Sequence, residues 1–246
     1  IWKRFKGSGH RVLIMNVAFF SSEVYPFAKT GGLGDVCGSL PLALEKLGVD
    51  VSIFLPGYRS VGQGEHQIEQ LDGEFSRAVL GKNVQVYFID RREYFDREGL
   101  YGDSSGDYAD NIERFGFYCE KIFDVLKQVD FPPDIVHCHD WQTALIPVYL
   151  KERFQGDPFY KHAKSLLTIH NLAFQGIFPK EAFPKLGLEE KQLTLRGFDF
   201  HGKINLLKAG IIASDKVMTV SPQYAREIRT QKFGCGLEDV LSKRHD

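Results

Sequence analysis

Lys29-Thr30-Gly31-Gly32-Leu33-Gly34-Asp35-Val36 is the stretch on which the reading of this chain turns. An apolar run, Val12 to Phe20, precedes it and is expected as a strand. A helical pattern follows, with Val36, Leu40, Leu44 and Leu47 on one stripe. Strand, glycine-rich loop and helix, in that order, make a site for an anion. Glycines let backbone N–H groups approach a ligand, and the helix N-terminus presents its partial positive charge. Lys29 adds a full charge. The loop fits neither G-x-G-x-x-G nor the Walker pattern, so dinucleotide and P-loop binding do not follow from it. The competing reading is an ordinary turn with a solvated lysine. Lysine, glycines and helix start coincide here, which favours the anion site.

Outward from that loop, the chain alternates. Val49 to Leu55 reads as a second buried strand, closed by Pro56-Gly57. Phe75 to Leu80 and Val84 to Ile89 are β-like runs separated by Gly81-Lys82-Asn83, a hairpin signal, and suggest an antiparallel insertion over residues 60–90. Arg91 to Asp110 is expected as a long loop, and loops of that length in compact domains are usually functional or mobile. Asn111 to Val129 carries Ile112, Phe115, Cys119, Ile122, Leu126 and Val129 on one helical face. Ile135 to His139 is a short strand, and Trp141 to Phe154 is expected as a helix despite Pro147. Leu166 to Ile169 is another strand. Residues 171–203 read as irregular or part-helical. Ile204 to Ala213 is expected as a helix and Val217 to Val220 as a strand. Pro222 to Arg229 is a helix capped by Ser221, with proline at its first position. Strands alternating with helices predict an α/β fold, a mostly parallel Rossmann-like sheet with helices on both faces.

Polar residues collect where these strands end. Ser21-Ser22-Glu23, His139-Asp140-Trp141, His170-Asn171 and Ser221 each follow a strand. Ligands of open α/β sheets bind outside the carboxyl ends of the strands. His137-Cys138-His139-Asp140 invites a metal reading, but alternate strand residues face opposite ways, so Cys138 opposes the two histidines. No nearby cluster completes a ligand set, and no metal is expected. Asp140 is read as a carboxylate orienting hydroxyls or a base, or as the cap of the helix that follows. His170 is read as a donor to an oxygen or a general acid–base. Trp141 is read as core rather than a sugar platform. No G-x-S-x-G elbow is present, which argues against a serine hydrolase.

Composition narrows the classes. The chain has 246 residues, 43% hydrophobic and 26% charged, enough for a sizeable core and against disorder. A net charge of −1 offers no electrostatic case for nucleic acid or an anionic membrane. Four scattered cysteines without a C-x-x-C pair suit a reduced compartment. No apolar run reaches membrane-span length. Residues 1–10, with Lys3, Arg4, Lys6 and His10, read as an extension or upstream leader and are set apart from the domain expected over 11–246.

Taken together, several motifs resemble one family. They are Ser22 to Val36, Asp110-Asn111 with Arg114-Phe115, His137 to Trp141, and Thr168 to Ala173 with Gln175-Gly176. Lys203-Ile204-Asn205 with Lys208-Ala209-Gly210, and Val220-Ser221-Pro222 with Tyr224 to Glu227, complete the set. In this order they resemble the N-terminal signature of bacterial glycogen synthases and plant starch synthases. The resemblance implies a retaining glucosyltransferase of the two-Rossmann-domain GT-B type, with this chain as its N-terminal half. It implies ADP-glucose as donor, with UDP-glucose the alternative, and the non-reducing end of an α-1,4-glucan as acceptor. Lys29 with Gly31 and Gly32 would meet the donor diphosphate and the acceptor side, and Asp35 the acceptor. Tyr101 would line the site, and Asp140, His170 and Asn171 would surround the transferred glucose. No cofactor is implied. The family's second Rossmann domain, with further cationic groups for the diphosphate, is absent up to Asp246. The family setting is the bacterial cytoplasm, or a plastid in a plant. Two other classes stay open: a truncated glucan- or sugar-binding module without turnover, and a nicotinamide oxidoreductase, which the missing G-x-G-x-x-G opposes.

Overall fold

Val17, Ala18, Phe19 and Phe20 are all buried and form β1 (Asn16–Phe20). A strand apolar on both faces must be covered on both, and β1 runs through the middle of a sheet. The computed structural model describes residues 14–64, 66–71 and 73–244; the expected extension at 1–10 lies outside them. After β1 come α1 (Gly32–Lys46) and β2 (Asp50–Pro56). Then follow β3 (Glu69–Gln70), β4 (Phe75–Leu80), β5 (Val84–Ile89), α2 (Arg92–Phe95), β6 (Gly102–Asp103) and β7 (Gly106–Asp107). The middle of the chain supplies α3 (Asn111–Gln128), β8 (Ile135–His139), α4 (Leu145–Glu152) and β9 (Lys164–Ile169). The rest supplies β10 (Ile177–Pro179), α5 (Glu190–Leu195), β11 (Asp199–Phe200), β12 (Lys203–Asn205) and α6 (Leu206–Ala213). The last elements are β13 (Lys216–Thr219), α7 (Pro222–Glu227) and α8 (Glu238–Ser242).

The main sheet has the order β13-β9-β8-β1-β2-β5-β4-β3. It is parallel from β13 to β5 and antiparallel across β4 and β3. The fold is therefore α/β with a mostly parallel sheet, as the sequence pattern predicts. The runs at 75–80 and 84–89 do form an antiparallel hairpin. It belongs to the sheet itself, because β5 pairs parallel with β2. From β1 the chain proceeds to β2 on one side, while β8 lies on the other, so the strand order reverses between β1 and β8. A crevice opens at such a switch point.

Local differences from expectation have local causes. On α1 the buried residues are Gly34, Cys37, Gly38 and Pro41, not the expected leucine stripe. Leu40 and Leu44 are half-buried and Leu47 is exposed. Small residues let α1 approach closely: a Cβ on Gly38 would stand 2.4 Å from the Tyr25 carbonyl oxygen. Trp141–Thr143 is a 3-10 turn and α4 begins at Leu145. Pro147 then falls in the first turn, where its missing N–H has no intrahelical partner to lose. Residues 91–110 contain α2 and the small β6–β7 hairpin. Residues 171–203 contain part of a three-stranded sheet, β10-β12-β11, a 3-10 segment and α5. The expected helix at 204 starts at Leu206, capped by the Asn205 side chain. Ser221 caps α7 through the Tyr224 N–H, as expected. No helix among the described residues is long and apolar enough to cross a membrane.

Candidate functional site

Four segments that follow β1, β8, β9 and β13 meet at the switch point and, with the 91–111 segment, enclose a cleft of about 680 Å³. Gly31, Gly32 and Leu33 line it from one side and Asp140, His170 and Asn171 from the other, with Tyr101 and Asn111 between them. A Cβ on Gly31 or Gly32 would meet nothing within 4 Å, so the helix N-terminus is bare toward the opening. The first amides of α1 have no intrahelical acceptor, and no side chain caps Gly31.

Glu23 organises the glycine side. It is buried, and its Oε2 accepts from the backbone N–H of Thr30 (2.7 Å) and Gly31 (3.1 Å). Its Oε1 accepts from Thr30 Oγ1 (2.7 Å) and Tyr101 Oη (2.9 Å). Two of the loop amides expected to hold a ligand anion thus hold the protein's own carboxylate. The anion site is reduced to the amides at the start of α1. Lys29 and Asp35 do not join the cleft lining. Lys29 Nζ lies 2.7 Å from Asp35 Oδ1, with both side chains substantially exposed. The Lys29 stem runs over Gly34, where a Cβ would stand 2.9 Å from Lys29 Cγ.

Tyr101 is carried by the long excursion between β5 and α3, and a buried arginine holds that excursion in place. Arg114 Nε donates to the Tyr94 carbonyl at 2.7 Å and Nη2 to the Leu100 carbonyl at 3.1 Å. Its Nη1 donates to Asn111 Oδ1, while Asn111 Nδ2 donates to the Tyr101 carbonyl at 2.8 Å. Burial, with no carboxylate in direct contact, pulls the Arg114 guanidinium down from its usual range. Burial also raises the Tyr101 phenol well above its usual value, so it stays a hydroxyl that can bond Ser22 and Glu23.

The strand-end side is buried, and burial disfavours charge on its titratable groups. Asp140 has φ of 56° and ψ of −170°, a strained backbone conformation essentially confined to glycine. Its side chain does not cap the turn that follows. It crosses to β9, where Oδ1 accepts from the His170 N–H at 2.7 Å. Burial raises the Asp140 carboxyl to about 7, against the lowering effect of the His170 and Asn171 amides. His170 Nε2 lies 2.8 Å from His139 Nδ1. Burial lowers His170 to about 4. A ring that titrates there is uncharged at neutral pH and serves as a hydrogen-bonding group rather than a proton shuttle. His137 and His139 share a face as expected, with ring centroids 4.2 Å apart. A candidate ligand set different from the one read in sequence exists: Cys37, His139 and His170 bring donor atoms within 4.8 Å of one another. The imidazoles already bond each other, and burial holds the Cys37 thiol protonated.

Sequence reasoning brought Gly31, Gly32, Tyr101, Asp140, His170 and Asn171 to one place. It did not assign roles to Glu23, Asn111 or Phe174. Glu23 directly follows a strand, which was the available signal. Phe174 is 64% exposed on the cleft, an aromatic face without a covering partner in the core. Trp141 is mostly core, wedged edge-on between Phe115 and Phe178, with Gly176 leaving room for its ring.

The starch synthase catalytic domain family matches residues 16–243. A glycogen synthase of Geotalea uraniireducens is 45% identical over 244 residues, covering 94% of this chain and 50% of that protein. Glycogen synthase 2 of Geobacter sulfurreducens is 44% identical over 245 residues. The catalytic domain of starch synthase IV from Arabidopsis thaliana, solved bound to ADP and acarbose, superposes with a TM-score of 0.80. It shares 29% identity and covers 94% of this chain and 50% of that one. The chain spans about half the length of the curated relatives it matches.

Proposed function

The chain belongs to the starch synthase catalytic-domain family, and on that premise we propose that it is the N-terminal half of an α-1,4-glucan synthase. In this reading glucose passes, with retention, from an ADP-glucose-class donor to the non-reducing 4-hydroxyl of a glucan; UDP-glucose is the alternative donor. One observation carries the reading: the bare N-terminus of α1 faces Asp140 and His170 across a single cleft at the sheet's switch point. Breaking a sugar–phosphate bond places new negative charge on the leaving diphosphate and positive character on the sugar. Amides and a helix dipole aimed at the diphosphate stabilise the first more in the transition state than in the ground state. On the other side, the Asp140 carboxyl and the His170 ring bind and orient sugar hydroxyls. No covalent nucleophile is assigned. Glu23 holds the loop and Tyr101 in register rather than reacting, because its four acceptor positions are taken within the protein.

Lys29 and Asp35 stand at the rim. Closure of a second domain over the cleft would exclude water and turn Lys29 toward the phosphates. The test is glucose incorporation from labelled ADP-glucose into a maltooligosaccharide. It should be run on this chain, and on a chain joined to the C-terminal half of one of its glycogen synthase relatives. We expect the joined protein to extend the glucan and this chain alone to bind donor weakly, on the order of millimolar, without turnover. Binding without turnover in both would instead favour a glucan-binding module. Extension by this chain alone would show that one wall suffices. In a bacterium the reaction is assigned to the cytoplasm.

A further inference from the structure

β8 ends in a buried row of rings. Phe19 lies against both His137 and His139, and His137 Nε2 pairs with Thr168 Oγ1 at 2.7 Å. His139 is fully buried and held at its backbone by Thr143, whose Oγ1 accepts from the His139 N–H at 2.6 Å. Only one of its ring nitrogens has a partner. Nδ1 faces His170 Nε2 at 2.8 Å, while Nε2 is buried with none among the described residues.

A single hydrogen bond between two neutral imidazoles has one donor and one acceptor. If His170 Nε2 donated, the His139 proton would sit on Nε2, as a buried N–H with nothing to bond. If His139 Nδ1 donates, the unpaired atom is a lone pair. Buried donors without partners are rarer than acceptors without them, because the lost hydrogen bond is not replaced. Burial disfavours a second proton on either ring, and the neighbouring imidazoles oppose one on His139 further. His139 is therefore the donor, His170 Nε2 the acceptor, and the His170 proton is on Nδ1.

We propose that His139 is a positioning residue that fixes His170 as the Nδ1–H tautomer. The nitrogen of His170 left for a ligand in the cleft is then a hydrogen-bond donor. It matches an oxygen acceptor, such as a sugar hydroxyl or a phosphoryl oxygen, and cannot act as a base. What that donor does in turnover rests on the glucosyl-transfer reading; the tautomer itself does not.

Long-range proton–nitrogen correlation spectra of the chain labelled with ¹⁵N-histidine test the proposal without any substrate. His170→Gln identifies the signals. At neutral pH the expected pattern is an unprotonated Nε2 and a protonated Nδ1 on His170. His139→Asn places an amide nitrogen near the position of Nδ1 and should preserve that pattern. His139→Leu removes the donor and should move His170 toward the Nε2–H form that free histidine prefers. A protonated Nε2 on His170 in the unsubstituted chain overturns the proposal, and so does an unchanged pattern in His139→Leu. If His139→Leu does not fold, the unsubstituted chain and His139→Asn still decide it.

Discussion

The two sides of the cleft solve different problems with different chemistry. The glycine side is built on a carboxylate: Glu23 gathers two amides, a hydroxyl and a phenol, and Lys29 and Asp35 pair in solvent beside it. The strand-end side is built on groups whose charged forms burial disfavours, with the imidazoles pushed down and the Asp140 carboxyl pushed up. Fixed donors and dipoles suit a ligand part that carries charge. Neutral hydrogen-bonding groups suit a polyol, whose hydroxyls they can bind without the desolvation cost of a full charge. On the glucosyl-transfer reading proposed above, the two sides would distinguish the donor's diphosphate from its sugar before any ligand arrives.

The largest expected effect sharpens the strand-end side. Asp140 has a native pKa of about 7 against an ordinary 3.8. Between those values the native state holds its proton more tightly than the unfolded chain. Stability is therefore full below pH ~4 and is lost as pH rises through ~7. Asp140→Asn has no such titration. Its stability relative to wild type should grow across that window, by up to about 4 kcal/mol at ~1.4 kcal/mol per pKa unit. Denaturant melts of both proteins at pH 4 and pH 8 measure it; an equal difference at both would mean Asp140 titrates normally.

Next in size, His170→Ala in a joined two-domain enzyme should slow turnover by about a hundred- to a thousandfold, the loss of one pre-organised donor. It should also cost about 1–2 kcal/mol of stability, because His139 Nδ1 loses its partner. Normal turnover with only the stability loss would make the ring a packing residue and break the comparison. Third, Glu23→Ala should destabilise the chain by about 2–3 kcal/mol, since hydrogen bonds to a charged group contribute about 1.5–3 kcal/mol. Glu23→Gln, which keeps an acceptor, should lose less. Equal losses in chemical denaturation would show that the carboxylate's charge is irrelevant to the loop. The smallest effect on the fold belongs to Lys29→Ala, under about 1 kcal/mol for an exposed pair. Its turnover in the joined enzyme should nonetheless fall about a hundredfold. Unaltered rates would leave Lys29 as a surface ion pair and confine the charged side to the helix amides.

Much of the architecture was legible because it follows from near-neighbour patterns. The buried run ending at Phe20, the face of α3 from Ile112 to Leu126, and the Ser221 cap all depend on residues a few positions apart. Polar residues directly after apolar strands pointed to the cleft for the same reason. The α1 stripe misled because leucine spacing reports amphipathicity. What α1 buries is decided by how close its backbone comes to the loop before it: Gly38 lies against the Tyr25 carbonyl and Gly34 against the Lys29 stem.

By itself, the sequence determined the alternation of strands and helices, and which segments end at the ligand edge. Those are consequences of side-chain period and backbone chemistry, local to each element. Tertiary structure alone decided that Glu23 occupies two of the loop amides, that Lys29 turns to Asp35, and that His139 meets His170 across 31 positions of chain. A hydrogen bond depends on distances of a few tenths of an ångström between groups on different elements. No pattern along the chain encodes those distances, because packing sets them.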